Sequence, residues 1–150
     1  MQITDTIAHV LKRKSPYTIL SIAPSETVYN ALAMMAKHDV GALLVLDGPR
    51  LVGIVSERDY ARKVILLGHH SKETAVQEIM TAPVTSVSPQ NTVDECMTLM
   101  TEHHFRHLPV VENGAVVGIV SIGDLVKWVI SGQEQAIQEL EGYIRGSYPA

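Results

Sequence analysis

Aromatic side chains are scarce in this chain: one Phe, one Trp and five Tyr make up 5% of its 150 residues. Core volume must therefore come from Val, Ile, Leu, Ala and Met. Apolar residues reach 46%, enough to bury one domain, or two small halves sharing a core, and to exclude disorder over most of the length. Cysteine occurs once, as Cys96, which excludes an intrachain disulfide and fits a reducing cytoplasm. Basic residues are outnumbered, 12 Lys and Arg against 16 Asp and Glu for a net charge of −4. A general nucleic-acid binder would need the opposite surplus to neutralise phosphates. No apolar run approaches the roughly 18 residues that span a bilayer. The opening MQITDTIAHVLKRK places its positive charges after its apolar residues, the reverse of a secretory signal. The expectation is a cytoplasmic protein with neither membrane nor nucleic acid as partner.

What the chain does have is an internal repeat. A shift of 65 residues lays Pro24–Ile65 over Pro89–Ile130 without a gap, and 15 of the 42 pairs are identical. The run VGIVS occurs at 52–56 and 117–121, each time followed three residues after its Ser by an Asp, Asp59 or Asp124. Two copies are too few for a solenoid, so the halves are expected to pack with pseudo-twofold symmetry.

Each copy reads as β-α-β-β-α, an α+β fold. A β-rich stretch, TILSI (18–22) or VTSVS (84–88), stops at Pro24 or Pro89. Ser25 and Gln90 lead into a helix whose apolar residues recur at i, i+3, i+4 and i+7: Val28, Ala31, Leu32 and Met35, then Val93, Cys96, Met97 and Met100. Cys96 reads there as a small buried hydrophobe, and the methionines as core. Apolar strands follow at 42–46 and 51–55, and at 108–111 and 116–120, joined by the turn sequences DGPR and ENGA. A second helix opens at Ser56 or Ser121. Three segments fall outside the repeat: an N-terminal helix over Thr4–Arg13, a linker at 68–81 with a helical turn at Val76–Met80, and a tail with Ile137, Leu140 and Ile144 at helical spacing. The expected division is an N-terminal helix at 1–15, repeats at 16–67 and 82–131 around the linker, and a C-terminal helix and tail at 132–150.

Ser56 and Ser121 stand where a strand becomes a helix, so unpaired helix N–H groups and a hydroxyl face outward and suit a phosphate. Asp59 and Asp124 lie one turn on, where a carboxylate can accept from a ribose diol. Gly53 and Gly118 leave room for a ligand to approach the backbone. The same Ser-x-x-Asp spacing is also a capping box, worth about 1 kcal/mol to each helix with no ligand at all. Both readings stand on the residues alone.

Two β-α-β-β-α copies with GIVSERD at 53–59 and GIVSIGD at 118–124 resemble a tandem pair of cystathionine-β-synthase (CBS) domains, a Bateman module of the small stand-alone bacterial type. The resemblance covers about residues 16–130. It implies that the cleft between the repeats binds adenosine ligands (AMP foremost, or ADP, ATP, NAD or S-adenosylmethionine), that the module is a homodimer, and that it signals to a regulated protein. It also implies two sites. One joins Ile54, Ser56, Arg58 and Asp59 with Val84, Thr85, Phe105, Arg106 and His107. The other joins Ile119, Ser121, Gly123 and Asp124 with Thr18, Ile19, Val40, Gly41 and Ala42. The first is rich in cations, with His107 adding charge near pH ~6–7, and is expected to favour ligands with more phosphate. The second carries none and offers space. Arg62 and Lys63 read as a solvated helix face.

Of seven histidines, His103 and His107 are four apart and His69 and His70 adjacent. No Cys partner or His-Glu-x-x-His pattern completes a metal site, and His38 and His103 read as helix-end residues. No activated nucleophile, carboxylate pair or phosphate loop marks an enzyme. The expected function is a non-catalytic sensor of adenosine nucleotides. The alternative is a structural dimerisation module without a ligand.

Overall fold

The computed structural model describes residues 4–14 and 19–144. Thr18 and the tail residues 145–150, including the sequence GSYPA, lie outside the described residues. The elements are α1 (Ile7–Lys14), β1 (Ser21–Ile22), α2 (Val28–His38), β2 (Ala42–Asp47), β3 (Arg50–Ser56), α3 (Glu57–Tyr60), a π-helical segment Ala61–Ile65, α4 (Val76–Ile79), α5 (Val93–His103), β4 (His107–Glu112), β5 (Ala115–Ser121) and α6 (Ile122–Ile144). The mixed class and the doubled unit are those the sequence pattern called for.

Helices α2 and α5 start later than Ser25 and Gln90. Thr27 and Thr92 are the caps, each hydroxyl accepting at 3.1 Å from the backbone N–H of Asn30 or Glu95. Residues Pro24–Glu26 instead close a turn, with Glu26 N–H on the Ala23 carbonyl. Both helices end on a left-handed residue at matched positions, Asp39 (φ 53°) and His104 (φ 58°), types that tolerate that region better than most. Val28, Ala31 and Met35 are buried along α2, and Val93, Cys96 and Met100 along α5, whereas Met97 is only partly covered.

The first sheet has the order β1-β2-β3. β1 runs parallel to β2, Ser21 opposite Leu44, and β2 pairs antiparallel with β3. In the second copy the expected strand at 84–88 does not form. Only Val87 makes a parallel bridge, to Val110, through its N–H on the Pro109 carbonyl and the Val111 N–H on its own carbonyl. Pro109 explains the loss. Its counterpart Leu44 donates an N–H to the Leu20 carbonyl at 3.3 Å; proline has no N–H to give Thr85, so the ladder cannot extend. The β4–β5 turn carries Asn113 and Gly114 at φ 52° and 79°, as a type I′ turn requires.

The chain divides into two compact units. One gathers α1, α5, α6 and the strand ends at Leu108 and Val120; there α6 packs against both α1 and α5. The other runs from β1 through α4 and takes in the turn-side parts of β4 and β5. Its core draws Met35 from α2, Leu43 and Val45 from β2, Val55 from β3, and Val76 and Ile79 from α4.

The repeat is longer than the gap-free match. Ile7 N–H bonds to the Asn91 carbonyl and Val93 N–H to that of Asp5; likewise Val76 N–H bonds to Glu26 and Val28 N–H to Thr74, all at 2.8 Å. Helices α1 and α4 are therefore equivalent lead-ins, Ile7 matching Val76 and Val10 matching Ile79, and all four are buried. The N-terminal helix and the end of the linker do not lie outside the repeat. The offset there is 69 instead of 65, because α1 has eight residues and α4 four. The extra turn is Leu11–Lys14.

The second helices differ as well. After α3 the first copy passes into the π-helical segment and stops at Gly68, φ 74°. In the second, the run GQEQAIQELE is rich in good helix formers, so α6 continues for 23 residues. The expected separate tail helix is the same helix.

Ile7 is fully buried, so Ile7→Ala is expected to cost about 2–5 kcal/mol despite lying near the chain start. Urea unfolding checks this: the midpoint should drop with little change in slope.

Candidate functional site

Each strand that ends in Ser turns directly into a helix, and in both copies the Ser and Asp side chains close on each other's backbone. Ser56 has an extended backbone, and its N–H and hydroxyl donate to Asp59 Oδ2 at 3.0 and 3.1 Å, while Asp59 N–H donates back to Ser56 Oγ at 3.2 Å. Ser121 N–H donates to Asp124 Oδ2 at 2.8 Å, and Asp124 N–H to Ser121 Oγ at 3.1 Å. The capping boxes are real. Any ligand role for these carboxylates is additional to them.

Both aspartates are also held by a lysine that the sequence reading had not assigned to them. Asp59, 8% exposed, has Lys63 Nζ at 3.1 Å from Oδ1 and accepts from Thr81 Oγ1 at 3.4 Å on the same oxygen. Lys63 also donates to the Ile79 carbonyl at 2.9 Å. Lys63 is therefore paired while its side chain stays 42% exposed, and Arg62 is exposed as expected. Asp124 Oδ2 has Lys14 Nζ at 2.9 Å, from the extra turn of α1. Burial alone would raise the Asp124 pKa, but the Ser121 N–H and the Lys14 ammonium outweigh it and hold the carboxyl below its ordinary value. Asp124 is therefore charged at neutral pH.

The remaining expected residues fall as follows. Ile54 pairs with Leu44 and bridges to Thr81; Ala42 lies opposite Ser56, and the Gly41 carbonyl accepts from Glu57 N–H at 3.1 Å. Gly41 and Ala42 thus join the Ser56 turn of their own repeat. The Arg106 carbonyl accepts from Ile122 N–H at 2.9 Å, which joins it to the Ser121 turn. His107, just beyond it, feels the Asp124 charge. Burial pushes the His107 pKa below its ordinary value; Asp124 pulls it up, and Lys14 and Arg106 push it down. The net shift favours the neutral ring and moves the charge expected of His107 near pH ~6–7 to lower pH. Ile119 lies on β5, Gly123 is exposed in the first turn of α6, and Arg58 is exposed in α3. Val40 is part-buried beside the core, Ile19 and Val84 are part-buried in coil, and Thr85 is exposed. The Phe105 ring stacks on His103 with centroids 5.4 Å apart.

Two further expectations change. The space over Gly53 is filled by Met80, whose Sδ stands 2.5 Å from where a Cβ would be; the glycine admits that side chain, not a ligand. The Asp124 turn is not free of cations, since Lys14 is on it and Arg13 and Lys127 line the adjoining groove. Cys96 is buried, and desolvation, with the Glu95 charge behind it, pushes its thiol up to about 11, the mark of an unreactive sulfur. Among the described residues no three His, Cys, Asp or Glu side chains gather as a metal site, and no helix is long and apolar enough to cross a membrane.

The twinned turns agree with comparisons to known proteins. The family model for the CBS domain matches twice, over residues 4–65 and 76–131. The chain belongs to the CBS domain family. It is 40% identical to the mitochondrial CBS domain-containing protein CBSX3 of Arabidopsis thaliana, over 97% of this chain and 74% of that one. A solved structure of a protein with CBS domains from Burkholderia ambifaria superposes with a TM-score of 0.82 at 53% identity, covering 85% of this chain and 96% of the other. A CBS-domain containing protein from Agrobacterium tumefaciens gives 0.77 at 35% identity, covering 81% and 97%. CBS pairs are in general regulatory, ligand-binding, non-catalytic modules, and CBS domains generally bind adenosine-containing ligands.

Asp124 has a depressed folded pKa. It adds stability above its unfolded value of 3.8, and that contribution is lost as the pH falls through the folded value. Lys14→Met should therefore unfold more readily than the parent at pH 7, and the gap should shrink in acid, once the pH is well below 3.8. Denaturant titrations at the two pH values check this; a gap of the same size in acid would assign Lys14 a packing role only.

Proposed function

We propose that this chain is a non-catalytic, cytoplasmic sensor of adenosine nucleotides that reports ligand occupancy to a partner protein, with AMP the foremost candidate among AMP, ADP, ATP, NAD and S-adenosylmethionine. The observation that carries this reading is the pair of Ser-x-x-Asp turns. Each holds a carboxylate on a strand-to-helix corner where it can accept from a ribose hydroxyl, at Asp59 in competition with Lys63 and Thr81. The family's general preference for adenosine compounds supports the choice of ligand. The chemistry available is recognition: carboxylates, lysines and backbone N–H groups, with the one thiol buried and its pKa raised.

Asp59→Ala and Asp124→Ala are each expected to weaken adenosine-ligand binding at their own turn by about tenfold or more, the worth of a charge-assisted hydrogen bond, and to leave the other nearly unchanged. Calorimetry with AMP, ATP and NAD measures it, and a rise in melting temperature with ligand corroborates it. Parent-like binding by both variants would reduce the aspartates to helix caps.

A homodimer belongs to the same reading. Helix α6 exposes Val126, Ile130, Ile137, Leu140 and Ile144, and the first repeat exposes Ile65, Leu66 and Leu67. Ile7 and Val10 on the N-terminal helix are buried inside their own unit and are not available to such a contact. Light scattering should give about twice the 16.4 kDa chain mass; a single-chain mass at micromolar concentration would count against the dimer. A dimer whose melting temperature responds to no adenosine compound would favour the structural-module alternative, which the capping boxes alone would satisfy.

A further inference from the structure

The extra turn of α1 lies along α6 within one unit, and a groove of about 380 Å³ opens there. That size falls in the range of small-molecule sites, roughly 300–1,000 Å³. Its charged lining is Arg13, Lys14, Lys127 and Asp124, with Trp128 and Ser131 beside them. Basic residues in the last turn of a helix are ordinary partners of its dipole; these are positioned by more than that. The Arg13 guanidinium lies 5.3 Å over the Trp128 ring and donates to Ser131 Oγ at 3.0 Å, and Trp128 Nε1 donates to Asp5 at 2.9 Å. Arg13 is thus fixed before any ligand arrives. Lys127 makes no ion pair among the described residues.

The Asp124 carboxylate is used on one side only. Ser121 N–H and Lys14 both contact Oδ2, and among the described residues Oδ1 accepts no hydrogen bond. In the first repeat the matching Oδ1 is taken by Lys63 and Thr81. The difference is built into the sequence. Trp128 stands at the position of Lys63, and the cation on Asp124 comes from α1 instead.

We propose that this groove is an anion seat, in which Lys14, Arg13 and Lys127 bind a phosphate of the ligand whose ribose hydroxyl goes to Oδ1 of Asp124. It rests on the nucleotide reading of Asp124 and adds a selectivity to it. With three cations against one carboxylate, the groove accepts a phosphorylated ligand and disfavours the uncharged nucleoside. The phosphate is then held by Arg13 and Lys14 of the lead-in helix and Lys127 of α6, all outside the GIVSIGD motif.

Trp128 is the only tryptophan in the chain, so its fluorescence reports on this groove directly. The parent protein, Lys14→Met and Lys127→Ala are titrated with pyrophosphate, AMP and adenosine, with melting temperatures confirming that each is folded. In the parent, AMP should bind about tenfold or more tightly than adenosine, the difference shrinking as salt rises. Both variants should lose several-fold to tenfold in AMP affinity and keep that for adenosine. Lys127 is exposed, so its variant remains informative if Lys14→Met is unstable. AMP binding at parent affinity in both variants overturns the proposal and leaves the nucleotide reading standing. A Trp128 response to pyrophosphate that both variants lose, with none to AMP or adenosine, keeps the anion seat and removes the nucleotide reading of Asp124. No response to any of the three removes both at this turn.

Discussion

A carboxylate at 8% exposure needs hydrogen-bond donors around it, and this requirement at Asp59 organises the first repeat. The cap supplies two donors from Ser56, Lys63 supplies the ammonium, and Thr81 adds a hydroxyl. Each donor comes with an element attached. Ser56 ends β3, Lys63 sits in the π-helical segment, and Thr81 follows α4 and bridges to Ile54. Lys63 also bonds the Ile79 carbonyl, tying the same ammonium to the lead-in helix. One carboxylate thereby ties the strand end, the helix start and the lead-in to each other within that unit.

The second repeat meets the same requirement with different parts. Trp128 occupies the place of Lys63, so no cation reaches Asp124 from α6 at that position. The missing charge arrives from α1, one turn longer than α4, whose final residue is Lys14. Trp128 is itself covered by Arg13 from the same added turn. The lengthened helix, the tryptophan and the relocated lysine therefore form one coupled change. Removing the lysine alone leaves a charged carboxylate short of a partner, a more damaging state than removing both partners together.

Much of this was legible in the residues. The 65-residue shift located both hairpins, both capping boxes and the buried faces of α2 and α5, because apolar spacing and turn chemistry act locally. The capping reading of Ser-x-x-Asp was available beside the ligand reading, and the geometry satisfies it in both copies. What the shift hid was the equivalence of α1 and α4, since a four-residue length difference breaks a gap-free register just where the lead-ins begin. The failed strand at 84–88 had a visible signal in Pro109, which lacks the N–H that Leu44 supplies in the first copy. The lysines were not legible in that way. Lys63 is four residues from Asp59 and reads as an ordinary i, i+4 surface pair; Lys14 lies 110 positions from Asp124. Only the packing of α1 on α6 brings that pair together.

Capping and the proposed recognition would draw on different atoms of the same aspartate, so that one motif could serve both. The cap uses the Asp backbone N–H and one carboxylate oxygen, bonds that keep the helix start intact whether or not anything is bound. A carboxylate has about four lone-pair sites, so the other oxygen can still accept without breaking the cap. At Asp59 that oxygen already has a lysine and a threonine, and an incoming hydroxyl must compete with both. At Asp124 it accepts no hydrogen bond among the described residues, and the ammonium sits on the capped oxygen, where an approaching phosphate would meet it as an attractive charge. Two turns of nearly identical sequence are thus chemically unequal, and the inequality originates outside the motif, in the length of the helix that precedes each repeat.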